Sequence, residues 1–325
     1  VWTPVAAAAG RAHRTWIVPA GALADVAFDA LPDAKGRYLI EDRTLAYLPF
    51  PAAAARVRGS SSHAAKGAFV LGDLDYQRAQ RSLSTAVAGW QVCTAAGCAV
   101  SASAAKEMNV ALHTDAVSRG AAVCGRSASW GALPPTEAPA VARSLATRVA
   151  DHVWLASGTA ATERSVRGAL PGRRFIHLAT HGFFSDPKAC GQPIDPLRIA
   201  KLLQRSVADG AAAPIVDPMA MSGVVLSGAN AISSGASAAN DGVLSAREVA
   251  RMDLRGTELA VLSACETGLG VSGDGEGTLG LSRAFLVAGS AHTIVSLWQV
   301  PSAETTQLFT HFYAALVAGK HRGDV

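Results

Sequence analysis

Phe175-Ile176-His177-Leu178-Ala179-Thr180-His181-Gly182 and Leu259-Ala260-Val261-Leu262-Ser263-Ala264-Cys265-Glu266-Thr267-Gly268 are the two stretches that decide how this chain folds. Each is a continuous apolar run that ends in small, turn-forming residues, the pattern of a central strand in a parallel sheet buried on both faces. Open α/β sheets assemble their sites at the carboxyl ends of such strands. One imidazole, His181, and one thiol, Cys265, are therefore expected at the same sheet edge, a pairing that suffices for hydrolysis through a cysteine nucleophile.

Working outward, apolar strands alternate with helical patterns. Strands are predicted at Ala68–Leu74, His152–Ala156, Phe175–Thr180, Leu259–Ala264 and Thr293–Val300, and helices at Glu137–Val149, Thr162–Leu170, Gly280–Ala288 and Glu304–Val317. This is an α/β arrangement, a mostly parallel central sheet flanked by helices. Ahead of it, Thr15–Pro19, Arg37–Ile40 and Thr44–Leu48 read as short strands joined by Gly and Pro turns. Residues 1–66 are thus expected to form an N-terminal antiparallel β extension packed on the domain of residues 67–325. Two segments interrupt the alternation: the Ala-rich insertion within Gln80–Ala132, and Lys188–Asp241, which holds several prolines and the low-complexity run Ala231–Asn240. The second lies between His181 and Cys265, where a loop can close over a site or undergo self-cleavage.

Composition narrows the partners. Of 325 residues only 17% are charged, with a formal net charge of +4, too weak a field to recruit nucleic acid directly or to hold an anionic membrane. A protein or peptide partner is expected. The five cysteines, Cys93, Cys98, Cys124, Cys190 and Cys265, are odd in number and form no CxxC pair. Neither a disulfide framework nor a zinc knuckle is indicated, and a reducing cytoplasm is the simpler setting. Val1–Gly10 lacks the charged region and apolar core of a secretory signal. Thr85–Ala105 is uncharged and long enough to span a bilayer, but its Ala, Ser, Gly and Thr contribute little to insertion, so it reads as a loop.

Cysteine chemistry explains the need for a histidine. A thiol attacks a carbonyl as its thiolate, and a nearby group must take up its proton and later protonate the leaving amine. Imidazole does both near neutrality, and the developing oxyanion needs backbone N–H donors, for which Gly182 and the turn at Cys265 are suited. A metal reading of His181 with Cys265 fails for want of third and fourth ligands. Gly268-Leu269-Gly270-Val271-Ser272-Gly273 fits a dinucleotide-binding GxGxxG pattern, which would make the chain a nucleotide-dependent enzyme, but Asp274–Gly277 separate it from any helix. No cofactor is expected. His177, which shares strand parity with Ala179 and His181, reads as a satisfied core or supporting histidine.

The patches His177-Leu178-Ala179-Thr180-His181-Gly182 and Leu262-Ser263-Ala264-Cys265-Glu266-Thr267-Gly268 are followed by Gly275-Glu276-Gly277-Thr278-Leu279-Gly280-Leu281-Ser282-Arg283-Ala284-Phe285 and by Ser296-Leu297-Trp298-Gln299-Val300. Together with Leu48-Pro49-Phe50 and Ala161-Thr162-Glu163 they resemble a bacterial CHAT domain, a caspase and separase relative often fused to TPR repeats. The resemblance implies a caspase-like sheet and a cysteine endopeptidase that cleaves a specific protein partner, gated by a regulatory protein or an appended TPR-type domain. It makes His181 the general acid/base, Cys265 the nucleophile, and the amides of Gly182 and Cys265 the oxyanion hole. Ser296, Leu297, Trp298 and Gln299 would line the groove in which an extended substrate pairs as a strand.

Asp73 and Asp75 occupy the region where caspase relatives read the side chain before the cut, and acids there would favour Lys or Arg. The alternative, an Asp capping the following turn, stands beside that reading. His181 and Cys265 lie 84 residues apart, against about 50 in caspases, consistent with the extra loop. Pro301-Ser302 stand where the resemblance predicts acidic residues, and the family usually carries a further helix beyond the position of Val325, so the domain is expected to be cut short at its C-terminal end. A catalytically silent scaffold that binds peptides in the same groove is the alternative function.

Overall fold

The computed structural model describes residues 12, 14–19, 23, 26–33, 35–48, 65–79, 89–100, 129–149, 152–185, 218–231, 241–264, 270–273, 277–298 and 300–319, with the backbone alone for 218, 270–273 and 277–279. Its strands in chain order begin with β1 (Arg14–Ile17), β2 (Thr44–Tyr47), β3 (Lys66–Leu74), β4 (Gln91–Thr94), β5 (Gly97–Val100), β6 (Val153–Gly158) and β7 (Arg173–Ala179). They continue with β8 (Gly182–Phe184), β9 (Ser222–Val225), β10 (Val243–Ser245), β11 (Leu259–Ser263), β12 (Gly270–Gly273), β13 (Gly277–Gly280) and β14 (Thr293–Val295). The helices are α1 (Leu39–Asp42), α2 (Ala138–Ala146), α3 (Glu163–Ala169), α4 (Ala246–Val249), α5 (Leu281–Ala288) and α6 (Ser302–Val317).

A seven-stranded sheet in the order β14-β11-β7-β3-β6-β4-β5 is the centre of the molecule. The five strands predicted from the apolar runs all lie in it and all run parallel. Their register sorts side chains by parity. Phe69, Leu71, Ile176, Leu178, Ala260 and Leu262 project to one face, where α3, α4 and α5 cover them. Ala68, Val70, Phe175, Ala179, Leu259 and Val261 project to the other, under α2 and α6. Burying each large aliphatic or aromatic side chain in these layers contributes about 1.5–3 kcal/mol, which is why the central strands tolerate almost no polar residue.

Helix ends follow local chemistry. The Thr162 hydroxyl accepts from the Ser165 N–H to start α3, and Ser245 with Glu248 forms a capping box on α4. These two helices meet through buried charge: Arg167 lies 3.6 Å from Glu163 and 3.5 Å from Glu248. Burial and the neighbouring Glu248 and Asp241 carboxylates hold the Glu163 carboxyl well above the ordinary value, because one guanidinium cannot neutralise them all.

Several expectations are revised in detail. The antiparallel pair that extends the main sheet is β4–β5, within the segment read as a loop, whereas β1 and β2 pair in parallel as a small separate sheet. Arg37–Ile40 is no strand: Tyr38 starts the single helical turn α1, with the Glu41 carboxylate accepting from its N–H. Cys93 and Cys98 lie opposite each other in the β4–β5 hairpin and form a disulfide, contrary to the reading that none is indicated. The spacing of five residues across a tight hairpin makes them cross-strand partners, which no CxxC pattern would reveal. Part of the long interval after His181 is ordered as β9, sandwiched between β8 and β10 in a three-stranded antiparallel sheet. The glycine-rich stretch continues as the β12–β13 hairpin, and its helix, α5, starts only at Leu281. Among the described residues no helix is long and apolar enough to cross a membrane.

Candidate functional site

Asp73 and Asp75 lie at the carboxyl end of β3, and His181 follows the last residue of β7 by two positions. The carbonyl of Gly131 lies 2.8 Å from His181 Nε2. A carbonyl only accepts, so Nε2 carries the proton and Nδ1 is the basic nitrogen of the neutral ring. The imidazole is flanked by the rings of Tyr76 and Trp130, with centroids 5.0 and 5.3 Å away. These neighbours are themselves fixed. Thr180 donates its hydroxyl proton to the Val225 carbonyl at 2.6 Å, so the Tyr76 hydroxyl, 2.9 Å from Thr180 Oγ1, is the donor there. Asn230 holds Trp130 from both sides, accepting from its N–H at 2.9 Å and donating to its carbonyl at 2.8 Å, while its own N–H donates to the Tyr76 carbonyl.

Gly182 opens β8, an edge strand paired on one side to β9. The Val225 N–H donates to the His181 carbonyl. Because hydrogen-bonded and non-hydrogen-bonded pairs alternate in an antiparallel ladder, the Gly182–Val224 pair is of the second kind, and the Gly182 N–H is turned away from β9. Cys265 lies outside the described residues, as does Gln299. The chain can be followed to Ala264, and the Thr180 N–H donates to the Ser263 carbonyl, which ties the ends of β7 and β11 together.

A cleft of about 280 Å³ is lined by Asp73, Asp75, Gln77, Gly158 and the two rings that flank His181, Tyr76 and Trp130, among others. Asp75 does cap its turn: Oδ1 accepts from the Gln77 and Arg78 N–H groups, and Oδ2 pairs with Arg78 Nε at 2.9 Å. Burial pushes its carboxyl up, but Arg78 and the two amides together pull it below the ordinary value. Asp73 is exposed and adopts a left-handed φ of 54°, its Oδ1 accepting from the Thr136 N–H at 2.7 Å. The close approach needs Gly72, whose hypothetical Cβ would lie 2.3 Å from Thr136 Oγ1. Both aspartates therefore border the cleft, although each also serves the backbone.

Ser296, Leu297 and Trp298 follow β14. Ser296 and Leu297 are half-buried, and Trp298 is 54% exposed. Trp298 faces a second cleft of about 440 Å³ that it shares with Asp29, Ala30, Tyr38 and Ile40, distinct from the one beside His181.

His177 sits four residues before His181 yet belongs to the opposite kind of environment. It is fully buried, Nε2 lies 3.1 Å from Glu137 Oε1, and Nδ1 lies 3.1 Å from the Tyr313 hydroxyl. Glu137 Oε1 also accepts from the Ser263 hydroxyl at 2.5 Å. Burial pushes the Glu137 carboxyl up, but His177 and Ser263 outweigh it and hold the group below the ordinary value. The core reading of His177 agrees with this geometry.

Sequence reasoning missed Gly131, Trp130, Tyr76 and Asn230. Gly131 acts through its backbone carbonyl, and Trp130 and Asn230 are 100 residues apart, so neither leaves a local pattern. Among the described residues no cluster of His, Cys, Asp and Glu could hold a metal ion. No curated protein matches this chain. The family model of the CHAT domain matches residues 1–324. The chain therefore belongs to the CHAT domain family, whose caspase-like fold is often that of a protease.

Proposed function

We propose that the protein is a cysteine endopeptidase in which His181 is the general acid/base and Cys265 the nucleophile. The observation that carries this reading is the hydrogen bond from His181 Nε2 to the Gly131 carbonyl, which leaves Nδ1 as the proton acceptor. The register supports it: Ala179 pairs with Ser263, so His181 and Cys265 each lie two residues past a paired position on neighbouring parallel strands. In the mechanism the imidazole takes the thiol proton, the thiolate attacks the peptide carbonyl, and the imidazolium returns the proton to the leaving amine. Water then releases the acyl group from sulfur. The Gly182 N–H, turned away from its own sheet partner, and that of Cys265 stabilise the oxyanion. The cleft between two aspartates and two aromatic rings favours Lys or Arg before the cut, with the aliphatic stem against Tyr76 or Trp130.

The test is cleavage of a mixed peptide library followed by identification of the new termini. Wild-type protein is expected to cut after basic residues, and Cys265→Ala and His181→Ala are expected to cut nothing. Equal cutting by either variant would overturn the assignment. Cleavage by none of the three, with Cys265 left unmodified by an arginyl chloromethyl ketone, would instead leave a peptide-binding scaffold.

A further inference from the structure

The buried group formed by Glu137, His177, Ser263 and Tyr313 is not consumed by the proposed chemistry, yet it touches every segment that the chemistry needs. Ser263 stands two residues before Cys265 on β11. Glu137 stands six residues after Gly131, whose carbonyl orients His181, and starts α2. His177 is on the strand that delivers His181, and Tyr313 comes from α6. From the elements packed together here, the titratable groups are Glu137 of α2's start, His177 of β7 and Tyr313 of α6, with the Ser263 hydroxyl of β11 completing the set.

The direction of each hydrogen bond follows. An ionised carboxylate only accepts, so His177 Nε2–H and Ser263 O–H both donate to Glu137 Oε1. Burial keeps the Tyr313 hydroxyl protonated, well above the ordinary phenol value, so it is able to donate to His177 Nδ1. One carboxylate oxygen is thus the meeting point of the nucleophile strand, the base strand and the segment that orients the base. Charge-assisted hydrogen bonds in a dry interior are short and directional, which makes such a point rigid.

We infer that Glu137 is a positioning residue: it locks β11, β7 and the 131–137 segment in one register, so that the thiol of Cys265 and the imidazole of His181 are held at a fixed separation. This inference rests on the protease reading, and the experiment separates the two.

The probe is iodoacetamide at limiting dose, with mass spectrometry of Cys265 across a pH series in the full chain and Cys124 as the internal reference thiol. Wild type is expected to label Cys265 with a midpoint below the ordinary thiol value of about 8.5, and His181→Ala to restore that value. Glu137→Gln is expected to raise the midpoint and slow Cys265 labelling at pH 7 by about tenfold, because the amide oxygen still accepts from His177 and Ser263 but without a charge to strengthen either bond, with Cys124 unchanged. Ser263→Ala, which deletes one donor and leaves the hydrogen bond between His177 and Glu137 intact, should move the midpoint the same way by less. If Glu137→Gln fails to fold, Ser263→Ala carries the test alone. A midpoint that His181→Ala does not move sinks the protease reading. A midpoint that His181→Ala moves but Glu137→Gln and Ser263→Ala leave in place, even with a lowered melting temperature, sinks the positioning role and leaves the protease standing.

Discussion

His177 and His181 stand four positions apart on one chain segment and could hardly differ more. The first is wholly buried and has both ring nitrogens engaged by side chains from distant elements. The second is only partly covered, has one nitrogen held by a backbone carbonyl, and lies between two aromatic rings. Full engagement in a dry environment makes an imidazole part of the architecture, because moving its proton would strand a partner. Among the described residues one hydrogen bond fixes this ring's orientation and engages only one of its nitrogens. Residue type alone therefore says little; the number of engaged nitrogens separates structure from chemistry.

The sharpest way to break this contrast is to remove each ring. His181→Ala is expected to lower peptide cleavage by roughly a thousandfold or more, about 4 kcal/mol of barrier, with the midpoint of urea unfolding little changed. His177→Ala should do the reverse in kind. It leaves the buried Glu137 carboxylate without the N–H donor of His177, and a loss of about 3 kcal/mol of stability is expected by the same unfolding measurement. Equal destabilisation by the two variants would erase the distinction.

The contrast extends to two buried carboxyls. His177 draws Glu137 below the ordinary value, so its contribution to stability is present above that value and is lost as pH falls through the folded one. Glu163 is pushed the other way by burial and by Glu248 and Asp241. Its neutral form fits the fold, so stability falls as pH rises from the ordinary carboxylate value toward the elevated one. Glu163→Gln should remove that loss and leave the variant more stable than wild type by about 1 kcal/mol or more at pH 8, and equal at pH 4. Thermal unfolding at the two pH values checks it, and a parallel pair of curves would refute it. The smallest effect is expected at the cleft: Asp73→Asn should reduce the preference for Lys or Arg before the cut by only a few-fold, since an exposed charge is worth about 1 kcal/mol or less. The cleavage library reads that directly.

Much of this was legible in advance, for identifiable reasons. The runs at 175–180 and 259–264 have no interior charge, so burial on both faces was the only outcome open to them, and the helices that cover them carry matching apolar spacing. His181 was legible because it ends such a run. What escaped notice depended on pairings that a linear pattern does not encode. The Gly131 carbonyl has no side chain to mark it. The Cys93–Cys98 link needed the hairpin geometry, and its Ala- and Gly-rich surroundings look like a loop. Arg37–Ile40 has strand-like residues but is held in a helical turn by the Glu41 carboxylate on the Tyr38 N–H. The cleft that Trp298 shares with Tyr38 and Ile40 likewise joins residues far apart in the chain.

The bonded pair at the sheet's far edge has a practical consequence. The proposed sulfur nucleophile would work only when reduced, so cleavage assays call for added thiol, and the same reagent also attacks the bond between Cys93 and Cys98. Titrating the reductant would then report two events with separate midpoints, activation of the proposed nucleophile and release of the outermost hairpin. Replacing both hairpin cysteines with serine isolates the first event from the second.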